Sequence, residues 1–347
     1  MKIGPVYNIK EPYIIAETAY NHEGDIDYLY RMIDDIAELG VDAIKFHLLF
    51  NLESYMRKDH PHFELFAKWM FPEKDWNGII DYSNKRLLDI VALCDDVESI
   101  EYIIRNSKTV SAIELHATGL NDYFLLEAVS NYKGQIILGI GGSTLDEIQY
   151  AVDFLRQRGK DNILLMYGFQ NYPTNYLDIN LSKMLRIGDL FDLPVGYADH
   201  TAFDDPNNEI VSIMGAAMGI NVLEKHYTPD YGKERIDYHS ALDKEKMKRV
   251  SELMKLALTV YGSGSLGMTE AELGYGSTGP MKKAIVAREN INKGDRLSLN
   301  NLWFKRTEEE SDVKQNQLWQ LVGLEATMDI SQDEIIDFTK VKKAQTG

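Results

Sequence analysis

The chain has 347 residues, of which 44% are hydrophobic and 26% charged, a composition typical of a globular protein with one barrel-sized domain and a small appendage. The formal net charge of −17 repels phosphate backbones and anionic membrane surfaces, so nucleic acid and membranes are excluded as expected partners. The single cysteine, Cys94, cannot form an internal disulfide, and the first residues lack the apolar core of a signal peptide. We therefore expect a cytoplasmic protein.

Eight short apolar runs follow one another along the chain, each flanked by a segment with helical spacing. This alternation is typical of parallel strands covered by helices and predicts an α/β fold, a closed TIM (β/α)8 barrel. A doubly wound open sheet is the alternative, because periodicity cannot show closure. The runs span residues 13–17, 41–47, 87–93, 111–117, 135–141, 162–168, 193–199 and 221–227.

Three segments between these runs carry their own signals. Apolar positions recur at helical spacing from Ile26 and predict a helix that ends at Gly40. Thr144 and Glu147 have the spacing of a capping box at the start of a helix. The aromatic and proline-rich stretch 54–84 is too long for a simple connection, and we expect it to cover one end of the barrel.

The composition changes after a last predicted helix at 244–261. We predict a catalytic barrel over 1–261, a linker rich in Gly and Ser over 262–280, and a small β-rich domain over 281–347. Within this last domain, residues 285–302 and 324–341 repeat one pattern of strand, turn and second strand.

Polar residues stand at the carboxyl ends of several predicted strands, where the active sites of such barrels lie. His200 and His226 end the last two strands and could share one divalent ion that polarises a carbonyl oxygen. Lys45 could meet a carboxylate or phosphate, while Glu23 and Asp237 could accept hydroxyl protons from a polyol. This set favours metal-assisted carbonyl chemistry on a polar substrate.

Structural roles are the alternative for each of these residues. In the sequence GYADHT, Asp199 and Thr201 could cap a helix rather than support His200. Glu224 and Lys225 flank His226, and we expect at least one of them to form a salt bridge inside the barrel. The other histidines at strand ends could be hydrogen-bonded neutral residues; they are His22, His47 and His116.

Five motifs, in this order, resemble the signature of the sialic acid synthases, which make nonulosonic acids. The tail sequence KKAIVARENINKGDRLSLNNLWFKR is similar to the antifreeze-like (SAF) domain that these synthases carry. The resemblance covers nearly the whole chain, and it implies the TIM barrel with a C-terminal β-clip domain. The five motifs are IIAETAYNHEGD, VDAIKFH, GYADHT, VLEKHYTPD and RIDYHSAL.

The resemblance also implies roles for single residues. His200 and His226 match the histidines that hold Mn²⁺ or Mg²⁺ against the aldehyde oxygen of an open-chain N-acyl sugar. Glu23 and Asp237 match acidic residues that hold sugar hydroxyls, and Lys45 matches a lysine that binds phosphoenolpyruvate. Arg306 matches an arginine that reaches the partner's active site in a domain-swapped homodimer. Candidate substrate-binding residues without such a match are His47, Gln170 and Asn171, of which the last two could instead form a turn before Pro173.

The chain departs from the family pattern around the phosphate of the donor. Glu114 stands where the family has a lysine, Gly139 begins a glycine-rich segment in place of hydroxyl residues, and Ala198 replaces a serine. Charge-assisted hydrogen bonds of about 1.5 to 3 kcal/mol each are lost with such changes. Backbone amides of the sequence GIGGST at a helix start could compensate, or these glycines could serve only a tight turn.

The expected function is therefore that of a sialic-acid-synthase-like enzyme of nonulosonic acid and surface polysaccharide biosynthesis. It would condense a sugar aldehyde with phosphoenolpyruvate or a related three-carbon donor, with a divalent metal as cofactor. Two alternatives stay open: an aldolase or lyase that acts on keto-sugars without phosphoenolpyruvate, and a non-catalytic sugar-binding protein.

Overall fold

The chain divides after Gly262 into two compact units. Within the part of the chain that the structure describes, no helix is long and apolar enough to cross a membrane. The computed structural model describes residues 11–106, 108–169, 171, 174–275 and 282–343.

The first unit is a closed barrel of eight parallel strands in sequence order, β1 to β8, in which β8 pairs with β1. This confirms the predicted TIM barrel, and closure rules out the open sheet. The strands are β1 Tyr13–Glu17, β2 Ala43–Leu48, β3 Asp89–Cys94, β4 Ala112–Leu115, β5 Gln135–Gly139, β6 Ile163–Tyr167, β7 Val195–Asp199 and β8 Val222–His226.

Burial on both faces explains why the strands are continuous apolar runs. Side chains that point outward pack under the helices in the main core, whereas inward-pointing ones such as Tyr13, Ile15 and Val222 form a separate apolar cluster. The apolar filling stops near the carboxyl ends of the strands, where charged residues replace it.

Helices surround the barrel and show the predicted signals. Helix α1 ends at Ala37 rather than Gly40, which adopts φ +69° in the following turn. The capping box of Thr144 and Glu147 is formed, with both reciprocal hydrogen bonds present. The helices of the first unit are α1 Ile26–Ala37, α2 Leu52–Tyr55, α3 Phe63–Trp69, α4 Glu73–Lys85, α5 Val97–Arg105, α6 Tyr123–Val129, α7 Leu145–Arg156, α8 Tyr176–Ile179, α9 Leu181–Phe191, α10 Asn208–Ala217 and α11 Lys244–Tyr261.

Two glycines after β5 and β6 are required by close backbone packing. A Cβ on Gly141 would collide with the carbonyl oxygen of Gly168, and one on Gly168 would collide with the carbonyl oxygen of Ala198. Gly142 has φ +74° and open space beside it. These contacts account for the glycines by turn and packing geometry, without a bound phosphate.

The second unit is built from two short antiparallel pairs, β9 with β10 and β11 with β12. Equivalent positions of the sequence repeat meet at its centre, where Ile291 and Ile330 exchange both backbone hydrogen bonds, at 2.9 and 2.8 Å. A six-residue helix, α12, lies within the segment predicted as a linker. The elements are α12 Glu270–Tyr275, β9 Lys283–Ala287, β10 Leu302–Arg306, α13 Leu318–Leu321, β11 Leu324–Ala326 and β12 Val341–Lys343.

Candidate active site at the carboxyl ends of the barrel strands

A cleft of about 670 Å³ opens where the barrel strands end. Seven of the eight strands, or the loops that follow them, contribute residues to its lining, at the end of the barrel where TIM-barrel active sites lie. The side chains in its wall that can carry charge are Glu17, Lys45, Glu114, His116, Asp122, Glu147, His200 and Glu224.

Lys45 lies inside the barrel, 2% exposed, with three carboxylates around its ammonium group. Its Nζ is 2.9 Å from Glu114 Oε2, 2.9 Å from Glu224 Oε1 and 3.2 Å from Glu17 Oε1. Burial alone would lower the pKa of Lys45, but the three carboxylates hold it well above its usual range. Lys45 is therefore a permanent cation.

The three carboxylates differ in their own ionisation. Burial raises the pKa of Glu224 well above its usual range, and Glu17 and Glu114 add to the effect against the opposing Lys45. Burial likewise raises the pKa of Glu114, although Lys45 opposes it. For Glu17, burial is outweighed by Lys45, His226 and His47, which hold its pKa well below the usual range.

Glu17 connects the lysine cluster to a second group of residues. Its Oε1 accepts a hydrogen bond from His47 Nε2 at 2.8 Å, and its Oε2 lies 3.3 Å from His226 Nε2. Because β1 pairs with both β2 and β8, Glu17 lies beside Lys45 on one side and His226 on the other. His47 thus contacts a site carboxylate, and its pKa is raised because the bond to Glu17 outweighs burial.

A candidate metal centre is formed by Glu17, His200 and His226. One ligand atom from each lies within 4.8 Å of the others, and all three side chains are buried. His226 Nε2 makes no hydrogen bond with a described residue, although it is buried. Two imidazole nitrogens and a carboxylate oxygen form a donor set that fits a first-row divalent ion.

Both imidazoles are neutral near pH 7, as metal ligands must be. Burial lowers the pKa of His226 to about 3, and it also lowers the pKa of His200. The two rings are neighbours, tilted by 60° to each other, with centroids 5.2 Å apart. The structure therefore brings together the two histidines that the sequence predicted as a pair.

Asp199 and Thr201 support this centre and do not cap a helix. The Asp199 carboxylate accepts hydrogen bonds from the Thr201 amide at 3.1 Å and the Thr201 hydroxyl at 2.6 Å, and pairs with Lys225 at 2.6 Å. The next helix, α10, begins only at Asn208. The sequence predicts a salt bridge for at least one of Glu224 and Lys225, and both form one: Glu224 with Lys45 and Lys225 with Asp199.

The two carboxylates predicted to bind a polyol lie on loops that meet. Glu23 Oε1 accepts a hydrogen bond at 3.1 Å from the backbone amide of Ile236, the neighbour of Asp237. Glu23 and Asp237 both have left-handed backbones, with φ 49° and φ 61°. Such strain in residues other than glycine costs of order 1 to 3 kcal/mol and is concentrated at functional sites.

Asp237 lines a second cavity of about 230 Å³, which shares His116 with the main cleft. Its walls are largely aromatic, and α2 and α3 of the predicted covering segment contribute to them. Burial lowers the pKa of His116 to about 4, so the ring is neutral and its Nδ1 accepts a hydrogen bond from the Thr118 amide. The aromatic lining residues are Tyr20, Tyr55, Phe66 and Trp69.

Glu23 lines neither of these cavities. Three further predicted residues lie away from the site or outside the described chain. Asn171 is exposed, and its carbonyl accepts a hydrogen bond from the Thr174 hydroxyl; Gln170 and the rest of the alternative turn before Pro173 lie outside the described residues. Arg306 is exposed at the end of β10, opposite Lys283 in the second unit. Its role in a homodimer stays a prediction.

Two acidic residues belong to the site although the sequence interpretation gave them no site role. Glu17 could have been found from barrel closure, which makes β1 the neighbour of β8 and sets Glu17 opposite His226. Glu114, which stands where the family has a lysine, faces the cleft and binds Lys45.

The comparisons with known proteins agree with this architecture. The model of the NeuB family matches residues 32–265, more than half of the chain, and the SAF domain model matches residues 282–342. The chain belongs to the NeuB family. The predicted relationship to sialic acid synthases and the SAF domain are thereby confirmed.

Two relatives show modest sequence identity to this chain over about nine-tenths of its length. The chain is 32% identical over 308 residues to an uncharacterized protein of Methanocaldococcus jannaschii, with 88% of each chain covered. It is 26% identical over 336 residues to the N,N'-diacetyllegionaminic acid synthase of Legionella pneumophila, with 92% of this chain and 91% of that one covered.

One solved structure is similar to this chain in both fold and sequence. The N-acetylneuraminic acid (sialic acid) synthetase from Leptospira borgpetersenii, in complex with citrate, is 25% identical, with a TM-score of 0.70. The match covers 79% of this chain and 93% of that one. The Legionella and Leptospira proteins are thus a legionaminic acid synthase and a sialic acid synthetase.

A buried histidine beside the site makes the stability of this NeuB-family protein sensitive to acid. His22 is 1% exposed, its Nδ1 accepts a hydrogen bond from the Gly24 amide, and burial lowers its pKa to about 3. The unfolded chain takes up a proton near pH 6.5, whereas the folded chain stays neutral. The contribution of the neutral His22 to the free energy of unfolding is therefore complete above pH 6.5 and is lost as the pH falls toward 3.

We expect the free energy of unfolding to fall between pH 6.5 and pH 5, with His22 contributing up to about 1.4 kcal/mol per pH unit. Urea unfolding at a series of pH values should show a shallower slope for His22→Gln than for the wild type. The control His60→Gln changes an exposed ring and should keep the wild-type slope. An unchanged slope in His22→Gln would contradict the assignment.

Proposed function

We propose that this chain is a metal-dependent enzyme of nonulosonic acid or surface polysaccharide biosynthesis. It forms a carbon–carbon bond between the open-chain aldehyde of an N-acyl sugar and a three-carbon donor, phosphoenolpyruvate or a related compound. The supporting observation is the buried group of Glu17, His200 and His226 beside Lys45, in a barrel whose relatives are synthases.

The donor set favours Mn²⁺ over Mg²⁺, because imidazole nitrogen is a poor ligand for Mg²⁺. When bound, such an ion supplies Lewis-acid polarisation of a carbonyl oxygen. The protein's part is to hold the ligands neutral and oriented. Burial keeps the two imidazoles unprotonated, and Lys45 and His47 hold one oxygen of Glu17 while the other faces His226.

The sugar is assigned to the second cavity, which Asp237 lines and beside which Glu23 binds the backbone amide of Ile236. Carboxylate oxygens accept hydrogen bonds from hydroxyl groups, and aromatic walls pack against the apolar face of a sugar ring or an acyl group. The donor is assigned to the side of Lys45, Glu114 and the glycine segment from Gly139. His47 and His116 lie between the two regions.

A second candidate function is supported by Glu114. An aldolase or lyase that acts on keto-sugars without phosphoenolpyruvate needs the same metal ion and sugar site, but no cradle of cations for a phosphate. The contact of Glu114 with Lys45 reduces the positive charge available to such a phosphate. The non-catalytic sugar-binding alternative has no use for a Lewis acid, and it would be left if neither reaction occurred.

We expect His200→Ala and His226→Ala to lose metal binding, because each removes one of two neutral nitrogen ligands. Mn²⁺ uptake measured by equilibrium dialysis and electron paramagnetic resonance should fall at least about 10-fold in each variant. The control is His60→Ala, an exposed histidine outside the cleft, which should bind Mn²⁺ like the wild type. Wild-type uptake by the double variant His200→Ala/His226→Ala would remove the metal assignment.

Carbon–carbon bond formation is tested with a panel of aldoses and N-acyl hexosamines, with Mn²⁺ and either phosphoenolpyruvate or pyruvate. Mass spectrometry should detect a 2-oxo acid three carbons longer than one of the sugars. Asp237→Asn should reduce its formation, because a neutral amide binds hydroxyl groups less strongly than a carboxylate. A chain that binds Mn²⁺ yet makes no such acid from either donor and any sugar would refute the synthase proposal.

A further inference from the structure

The charges around the donor side of the cleft do not suit a highly charged donor. Lys45 carries one positive charge and already contacts three carboxylates, those of Glu17, Glu114 and Glu224. Lys45 is also the only lysine or arginine among the described residues that line the cleft. Two further carboxylates, those of Asp122 and Glu147, lie in the same wall.

An enol phosphate brings about three negative charges at neutral pH, from one carboxylate and one phosphate with a second pKa near 6. Placing it beside Glu114 would oppose like charges in a buried site, where their repulsion is weakly screened. A 2-oxo acid such as pyruvate brings a single negative charge. The charged residues that line the cleft therefore disfavour an enol phosphate relative to a 2-oxo acid.

We propose that the donor is a 2-oxo acid of the pyruvate class, and that Glu114 accepts a proton from its methyl carbon. This inference rests on the proposed function, since it concerns the donor of that same reaction. It also explains why a carboxylate lies in this place: an enol phosphate already contains the carbon nucleophile, whereas a 2-oxo acid must first lose a C–H proton to a base.

The position of Glu114 suits this role. Its Oε2 is held by Lys45 at 2.9 Å, and a Cβ at position 139 would lie 3.5 Å from its Oε1. Because residue 139 is glycine, no side chain at that position covers the oxygen. The second oxygen thus faces the glycine segment of the cleft while the first fixes the carboxylate in place.

Lys45 itself is not placed to react with the donor carbonyl. A lysine forms an imine only as the neutral amine, and three carboxylates at 2.9 to 3.2 Å stabilise its ammonium form. Lys45 is therefore a positioning residue, which holds Glu114 and Glu17.

The reaction balances without any other reactant. Glu114 takes one proton from the methyl group, and the electron pair of that C–H bond forms the new bond to the aldehyde carbon. The aldehyde C=O π bond breaks, and its oxygen takes up one proton. One proton is thus removed and one is added. The product is a 2-oxo acid with a new hydroxyl group; no phosphate is released.

The first step is measurable without the sugar. The full-length protein is incubated with Mn²⁺ and pyruvate in D₂O, and deuterium in the methyl group is followed by mass spectrometry. We expect wild-type protein to exchange these hydrogens and Glu114→Gln to do so at least about 100-fold more slowly, as for loss of a general base. Glu73→Gln, the same change on exposed helix α4, should exchange like the wild type.

Two further measurements separate folding and function from the donor inference. Retained Mn²⁺ binding by Glu114→Gln shows that a slow exchange is not caused by unfolding. Absence of exchange in the wild type, or equal exchange in Glu114→Gln, overturns the inference. Product formed with phosphate release from phosphoenolpyruvate, and none from pyruvate, would also overturn it while leaving the synthase proposal intact; product from neither donor would refute both.

Discussion

The site depends on one buried interaction, the contact of Lys45 with Glu17, Glu114 and Glu224 inside the barrel. Lys45 holds the pKa of the buried Glu17 low, so removing Lys45 would leave that buried charge without its cation, at about 3 to 5 kcal/mol. The cluster also fixes Glu17, whose other oxygen faces the candidate metal centre. Lys45 thereby affects both the charge on the donor side of the cleft and the position of Glu17 in the candidate metal centre.

A second buried pair supports the other half of the site. Asp199 accepts hydrogen bonds from Thr201 and Ser212 and pairs with Lys225, which ties together the residues on both sides of His200 and the residue before His226. Because Lys225 alternates in direction with its neighbours on β8, this pair lies on the opposite face of the strand from Glu224 and His226. The two ion clusters thus hold the strand ends from inside and outside the barrel.

Much of the architecture could be predicted from sequence, because a buried parallel strand is a continuous apolar run and the capping signals are local. The run at residues 13–17 corresponds to β1, and the helix predicted at 244–261 to α11. His200 and His226 could be paired because consecutive strands of a barrel are neighbours in space. Helix α1 ended earlier than predicted, because Gly40 serves the turn beyond the helix rather than its last residue.

The rest of the site depended on contacts between residues distant in the chain. Whether Glu114 would face the cleft, and whether it would repel or bind, could not be read from β4 alone, since its partner Lys45 comes from β2. Glu17 became a candidate metal ligand only through closure of β1 onto β8. The left-handed backbones of Glu23 and Asp237 likewise have no sequence signal, because such conformations are imposed by the loops around them.

The central claim is that the carboxylates around Lys45 select a donor with a single negative charge. Isothermal titration calorimetry of the Mn²⁺-loaded protein with pyruvate and with phosphoenolpyruvate compares the two donors directly, before any sugar is known. The account predicts a dissociation constant for pyruvate at least about 10-fold lower than that for phosphoenolpyruvate, or about 1.4 kcal/mol. Tighter binding of phosphoenolpyruvate would contradict it.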